Sequence, residues 1–148
     1  MSKVVSTRLT AETEARLQRL ARRLGKTPSE TGAMLIEESL RQNEFAYIEF
    51  RNSPVGRQAY LKNSNLAVWQ VIKLGQEFDR NVAKIASHLS RSIEWVQAAF
   101  NYAEAYSSEI NLAIEDDSAI NYTTIKRLLP QTELLLIPQD VMDSEVSE

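Results

Sequence analysis

Lys3–Leu40, KVVSTRLTAETEARLQRLARRLGKTPSETGAMLIEESL, is the stretch on which the fold turns. Its opening residues, Val4-Val5-Ser6-Thr7-Arg8-Leu9, are dense in β-branched side chains and predict a short extended run. Two helical patterns follow, joined at Gly25-Lys26-Thr27-Pro28. A single strand with no neighbouring strand in its own chain cannot satisfy its backbone donors and acceptors. The simplest remedy is a second copy of the chain, whose strand pairs with the first in a two-stranded ribbon, so the segment predicts an obligate dimer. With a side-chain period of two, Val5, Thr7 and Leu9 share one face and Val4, Ser6 and Arg8 the other. Leu9 abuts the first helix and begins its apolar series, which turns Val4, Ser6 and Arg8 outward.

Thr10 is placed to cap the first helix, with Glu12 and Glu14 where the helix dipole favours acids. Leu17, Leu20, Ala21 and Leu24 follow helical spacing and predict its buried stripe. Arg16, Arg19 and Arg23 lie on another face with Arg22 nearby, where a solvated flank is the ordinary explanation. Gly25 ends the helix. The second helix starts with Thr27 as cap, Pro28 in the first turn and Glu30 completing a capping box. Met34, Leu35, Ile36 and Leu40 supply its apolar side. Gly32 costs about 1 kcal/mol of helix propensity relative to alanine, a cost explained if two helices approach closely there.

Taken together, the strand, the two helices and the linker resemble the ribbon-helix-helix family of DNA-binding repressors, of the CopG, Arc and MetJ type. The resemblance implies a ribbon inserted in the major groove, whose width admits two strands. Val4, Ser6 and Arg8 would then meet base edges: arginine donates two hydrogen bonds to guanine, serine pairs with several bases, and valine touches a thymine methyl. It further implies phosphate contacts from Lys3 and Lys26 and from the helix start at Thr27 and Ser29. The family pattern G-x-[ST]-x-[ST] reads here as Gly25-Lys26-Thr27-Pro28-Ser29, and free amides at a helix N-terminus form an anion site. Helix capping alone accounts for each of these residues except Lys26, and a solvated edge strand is the alternative for residues 4–9. Thr31 and Gly32 depart from the family, many of whose members carry larger apolar residues there.

The whole chain has a net charge of −3, which argues against a DNA binder until it is divided. Residues 1–45 carry eight Lys/Arg against six Asp/Glu, and the remainder nine against fourteen, so the basic excess sits with the ribbon segment. At 148 residues, 43% hydrophobic and 25% charged, the chain has room for one ordinary domain or two small soluble ones. No apolar run approaches the roughly 20 residues of a membrane span, and no signal-peptide pattern opens the sequence. There are no cysteines, consistent with a reducing cytoplasm.

Beyond residue 44 the pattern changes. Phe45–Arg51 alternates loosely, Asn52-Ser53-Pro54 predicts a turn, and Gly56–Lys62 a second short strand. Asn63-Ser64-Asn65 is expected to cap a helix from about Leu66 to Phe78, with Val68, Val71, Ile72 and Leu74 as anchors. A shorter helix carries Val82, Ile85, Ala86 and Leu89. It breaks at Ser90-Arg91-Ser92, and a longer one to about Tyr106 bears Ile93, Val96, Ala99 and Phe100. Short helix, tight turn and longer helix outline a helix-turn-helix. Roughly Ile48–Ala113 resembles a small bacterial helix-turn-helix domain that recurs in VapB-like antitoxins beside PIN-like nucleases. Arg91, Gln97 and Asn101 could face bases, but Glu94, Glu104 and Glu109 share the neighbourhood, which favours dimerisation or a basic protein partner. Glu115-Asp116-Asp117 is expected to be a solvated loop and Ile120–Leu129 a last short helix. Leu134–Ile137 is a compact apolar run that would pack, pair or bind a partner, and the acidic residues 139–148 are expected to be disordered when free.

One histidine and no cysteine leave no triad and no zinc set, and four scattered glycines leave no phosphate loop. His88 is expected to be structural or at the surface. Neither catalysis nor a cofactor is expected. The sequence therefore predicts a mostly α protein of three parts. Residues 1–44 form the ribbon-helix-helix dimer, 45–129 a hairpin with a helix-turn-helix, and 130–148 an apolar run with an acidic tail. The expected role is a cytoplasmic, homodimeric repressor of a palindromic operator in double-stranded DNA, acting as antitoxin to a PIN-like ribonuclease. A stand-alone repressor and an adaptor that binds no DNA are the alternatives, and association beyond the dimer is left open.

Overall fold

The computed structural model describes residues 2–120 and 122–131. Among them are seven helices and one two-stranded antiparallel hairpin, placed after the first two helices. One compact unit ends at Ser107, and a second begins at Ser108. None of the described helices is long and apolar enough to cross a membrane.

The first unit opens with residues 2–10, which adopt no regular structure and are exposed throughout. α1 (Ala11–Leu24) begins where the Thr10 hydroxyl accepts the Thr13 amide, and it ends at Gly25, whose φ of 65° suits a residue without a Cβ. Its stripe lies where the periodicity places it, with Ala21 buried and Leu17, Leu20 and Leu24 half-buried. α2 (Pro28–Glu44) starts with the full capping box: the Glu30 amide donates to the Thr27 hydroxyl and the Thr27 amide to the Glu30 carboxylate, each at 3.1 Å. Thr31 is fully buried against α1, and its hydroxyl donates to the Thr27 carbonyl at 2.9 Å, so a polar residue occupies a core position without an unmet hydrogen bond. Gly32 is not needed for close approach: an added Cβ there would lie 4.0 Å from Leu17, an ordinary contact.

α2 does not end in a free linker. The Arg57 guanidinium Nε donates to both Glu38 carboxylate oxygens at 2.5 and 3.1 Å. Arg41 donates to the Tyr102 hydroxyl at 2.7 Å and lies 3.7 Å above the Tyr106 ring. Phe45 sets its ring edge-on to Tyr102 and Tyr106. These contacts bridge the boundary expected at residue 44, and they explain why Phe45–Tyr47 is not strand: Phe45 caps α2 and packs as an anchor, and Tyr47 takes a φ of 61°.

The hairpin is therefore shorter than its alternation suggests. β1 (Ile48–Ser53) pairs with β2 (Gly56–Leu61) around a Pro54-Val55 turn, with Ser53 opposite Gly56. Ile48 opposite Leu61 and Phe50 opposite Ala59 form the inward face. On the other face Arg51 pairs with Glu49 and covers the Tyr60 ring. α3 (Val68–Glu77) begins two residues later than expected, because an isolated bridge of Tyr60 with Ala67 and a bond from the Leu61 amide to the Leu66 carbonyl tie that segment to β2. Asn81 caps α4 (Val82–Leu89), and Ser90 ends it in the left-handed region. α5 (Ile93–Ala105) then runs through the centre of the unit, burying Trp95, Val96, Ala98, Ala99, Tyr102 and Ala103 against α3, α4 and the hairpin. Gly75 of α3 is the close approach: a Cβ would meet Phe100 at 3.0 Å and Ile85 at 3.1 Å.

In the second unit, α6 (Ser107–Ala119) corrects the loop expected at Glu115-Asp116-Asp117. Acidic side chains on a helix surface stay solvated without ending it, and neither glycine nor proline interrupts Ser107–Ala119. α7 (Tyr122–Leu128) falls within the last helix expected. The apolar run Leu134–Ile137 and the acidic residues 139–148 lie outside the described residues.

Candidate nucleic-acid interface

The residues expected to meet bases sit at the open end of the first unit. Lys3, Val4, Ser6 and Arg8 are exposed, and the backbone of residues 2–9 forms no hydrogen bond with the rest of the described chain. Regular structure begins at Thr10, where the amide of Glu14 reaches its carbonyl at 2.9 Å. Val4 and Val5 are almost wholly exposed, and Leu9 on the stem and Ile36 and Leu40 on α2 are exposed as well. An exposed backbone whose donors and acceptors have no partner among the described residues is free to pair with another strand.

At the start of α2 the phosphate donors are partly engaged. Of the first amides, that of Thr27 bonds to the Glu30 carboxylate, that of Glu30 bonds to the Thr27 hydroxyl, and Pro28 has none. The Ser29 amide and hydroxyl and the Lys26 ammonium remain exposed without a partner among the described residues. An anion arriving here meets the Glu30 carboxylate already in the cap, and Lys26 offsets that charge.

The cations divide into two groups. Arg41, Arg51, Arg57, Arg80 and Arg91 are each held by the fold. Arg41, Arg51 and Arg57 pair with carboxylates, Arg80 lies over Phe100, and Arg91 both donates to the Asn63 carbonyl and covers Trp95. Lys3, Arg8, Arg16, Arg19, Arg22, Arg23 and Lys26 are all exposed and engage no acid, carbonyl or ring among the described residues. Lys62, Lys84 and Arg127 are likewise exposed and unengaged among the described residues, so the positive charge that folding leaves unused is concentrated before residue 27 without being confined there.

α5 offers little to a base pair. Arg91 is spent on Asn63 and Trp95, and Gln97 donates to Asn101 at 2.9 Å. The exposed face is a strip of Glu94, Gln97, Asn101 and Glu104, with two carboxylates that would meet phosphates of like charge. A shallow cleft of about 450 Å³ runs between this strip and Glu44–Tyr47, with Phe45, Tyr47 and Ile93 as its apolar part. His88 is exposed on α4, its ring 5.0 Å from that of Phe78. No three histidine or carboxylate side chains converge among the described residues.

Two clusters escaped the sequence: Glu38–Arg57, 19 residues apart, and Arg41–Tyr102, 61 apart. Neither has a local signal, since both partners read as ordinary surface residues of their own elements. Comparison with protein-family models, with curated proteins and with solved structures finds no match to this chain.

Proposed function

We propose that this chain is a homodimeric DNA-binding regulator whose two N-terminal segments pair as a ribbon in the major groove. The observation that carries it is the state of residues 2–10: an unpaired, exposed, valine-rich backbone followed by unbound cations, on a unit that is otherwise closed around α5. Pairing with a second copy would satisfy the backbone and cover Val5 and Leu9, leaving Val4, Ser6 and Arg8 on the outer face. Twofold symmetry then calls for a palindromic operator. Lys3, Lys26 and Ser29 would hold the phosphates.

In the finer proposal the chain is the antitoxin of a PIN-like ribonuclease and represses its own operon. Support comes from the acidic excess after residue 45 and from the α5 strip with its cleft, which suit a basic protein better than a phosphate backbone. The test is a gel-shift titration on the DNA upstream of its own gene at two salt concentrations, with Arg8→Ala beside the wild type. Tight, salt-sensitive binding lost in the variant supports a ribbon reader. A variant that retains operator binding at wild-type concentration removes Arg8 from the base contacts, and a wild type that binds no duplex leaves an adaptor. Co-purification of a neighbouring PIN-like nuclease with the wild type would separate antitoxin from stand-alone repressor.

A further inference from the structure

We infer that the arginine face of α1, Arg16, Arg19 and Arg23 with Arg22 at its edge, is a second DNA-phosphate surface, gripping the duplex outside the base pairs faced by residues 4–8. This rests on the proposal that the chain binds DNA. Helical spacing sets these arginines on another face than the stripe of Leu17, Leu20, Ala21 and Leu24, and all four stay exposed when the stripe packs. All four are exposed, and none pairs with Glu12 or Glu14, although both acids share the helix. Glu14 instead accepts from Gln18 at 3.4 Å, and Glu12 stands at the N-terminal end of the arginine face.

Helix stability explains only part of this. Arg22 and Arg23 lie in the last turn, where cations complement the dipole. Arg16 and Arg19 lie in the middle, where no dipole term favours them. In the first unit every arginine from 41 to 91 has been recruited into the fold, so the unpaired guanidinium groups of that unit all lie before residue 24. Arg16 and Arg23 stand about 10 Å apart along the axis at ~1.5 Å per residue, while one DNA strand advances ~3.4 Å per phosphate. Flexible guanidinium groups on such a row can reach successive phosphates of one strand. Phosphate contacts carry no sequence information, so the row would add affinity and salt dependence and leave base preference to the ribbon.

The experiment measures affinity of the full chain for its operator and for a scrambled duplex across a salt series, for wild type, Arg16→Gln/Arg19→Gln and Arg16→Lys/Arg19→Lys. Glutamine keeps helix propensity, and circular dichroism checks the fold. Four cations lost per dimer should make the slope of log affinity against log salt shallower by about 3.6. Between low salt and a fourfold higher concentration, the wild type should then weaken about 150-fold more than the glutamine variant. The ratio of operator to scrambled affinity should hold, and the lysine variant should keep the wild-type slope. Wild-type binding with an unchanged slope in the glutamine variant overturns the inference and leaves the ribbon proposal standing. A wild type that binds no duplex, or binds single-stranded RNA in preference, overturns both.

Discussion

Replacing Ile36 with glutamine should weaken dimerisation by more than a hundredfold and leave the fold of each chain intact. In the single chain Ile36 is 60% exposed and Leu40, one turn on, is 51% exposed, so α2 carries an apolar edge that its own unit does not cover. Val5 at 88% and Leu9 at 46% complete the set. Burying a large aliphatic side chain contributes about 1.5–3 kcal/mol, so covering the exposed part of Ile36, taken in the upper half of that range, is worth about 1.5 kcal/mol per chain and ~3 kcal/mol per symmetric dimer. That is more than two decades in dissociation constant at ~1.4 kcal/mol per decade. The change is felt because association opposes it with ~4–15 kcal/mol of lost freedom, comparable to what the exposed parts of Val5, Leu9, Ile36 and Leu40 on each of two chains return. Glutamine is at least as good a helix former as isoleucine, and Ile36 takes no part in the core around α5. Sedimentation velocity over a concentration series, with circular dichroism alongside, measures both quantities. Superimposable profiles for variant and wild type would refute the assignment of this edge to a dimer. So would a loss of monomer stability on the scale of a core substitution, because Ile36 would then belong to the unit itself.

Gly32→Ala should raise thermal stability by about 1 kcal/mol, since helix propensity improves and the new Cβ meets nothing nearer than 4.0 Å. Gly75→Ala should lower it by about 1 kcal/mol, because overpacking of about 1–3 kcal/mol at 3.0 and 3.1 Å from Phe100 and Ile85 outweighs the same propensity gain; denaturant midpoints of the two variants should move in opposite directions. Glu38→Ala should cost about 2 kcal/mol by chemical denaturation, less than the ~3–5 kcal/mol of a wholly buried pair, because Arg57, with its side chain 30% exposed, can turn to water. Glu30→Gln keeps the capping box and removes the carboxylate from the start of α2; operator affinity should tighten several-fold, and an unchanged affinity would place the phosphates elsewhere.

Where local chemistry decides, the sequence is legible. Thr10 and Gly25 bracket α1, the Thr27–Glu30 box starts α2, and Ser90 ends α4 because each position satisfies backbone groups a few residues away. The unpaired valine-rich stem and the early cations are likewise visible as composition. The acidic triplet Glu115-Asp116-Asp117 looks like a break in sequence, whereas a solvated helix face tolerates such charge.

What the sequence by itself determined is the run of helices α1 to α5, the hairpin and the excess of positive charge before residue 27, which follow from composition and from neighbours within a turn or two. Only the tertiary structure decided which residues close the unit. It set Glu38 on Arg57 and Arg41 on Tyr102 and Tyr106, gave Gly75 in place of Gly32 the close contact, and drew Phe45 out of the strand into an aromatic cluster. It also tied Arg91, just before α5, to Asn63 and Trp95 and turned one face of that helix into the core. The physical reason is common to these cases. Burial and ion pairing depend on what arrives from distant parts of the chain, and a side chain's spacing within its own element carries no record of that partner.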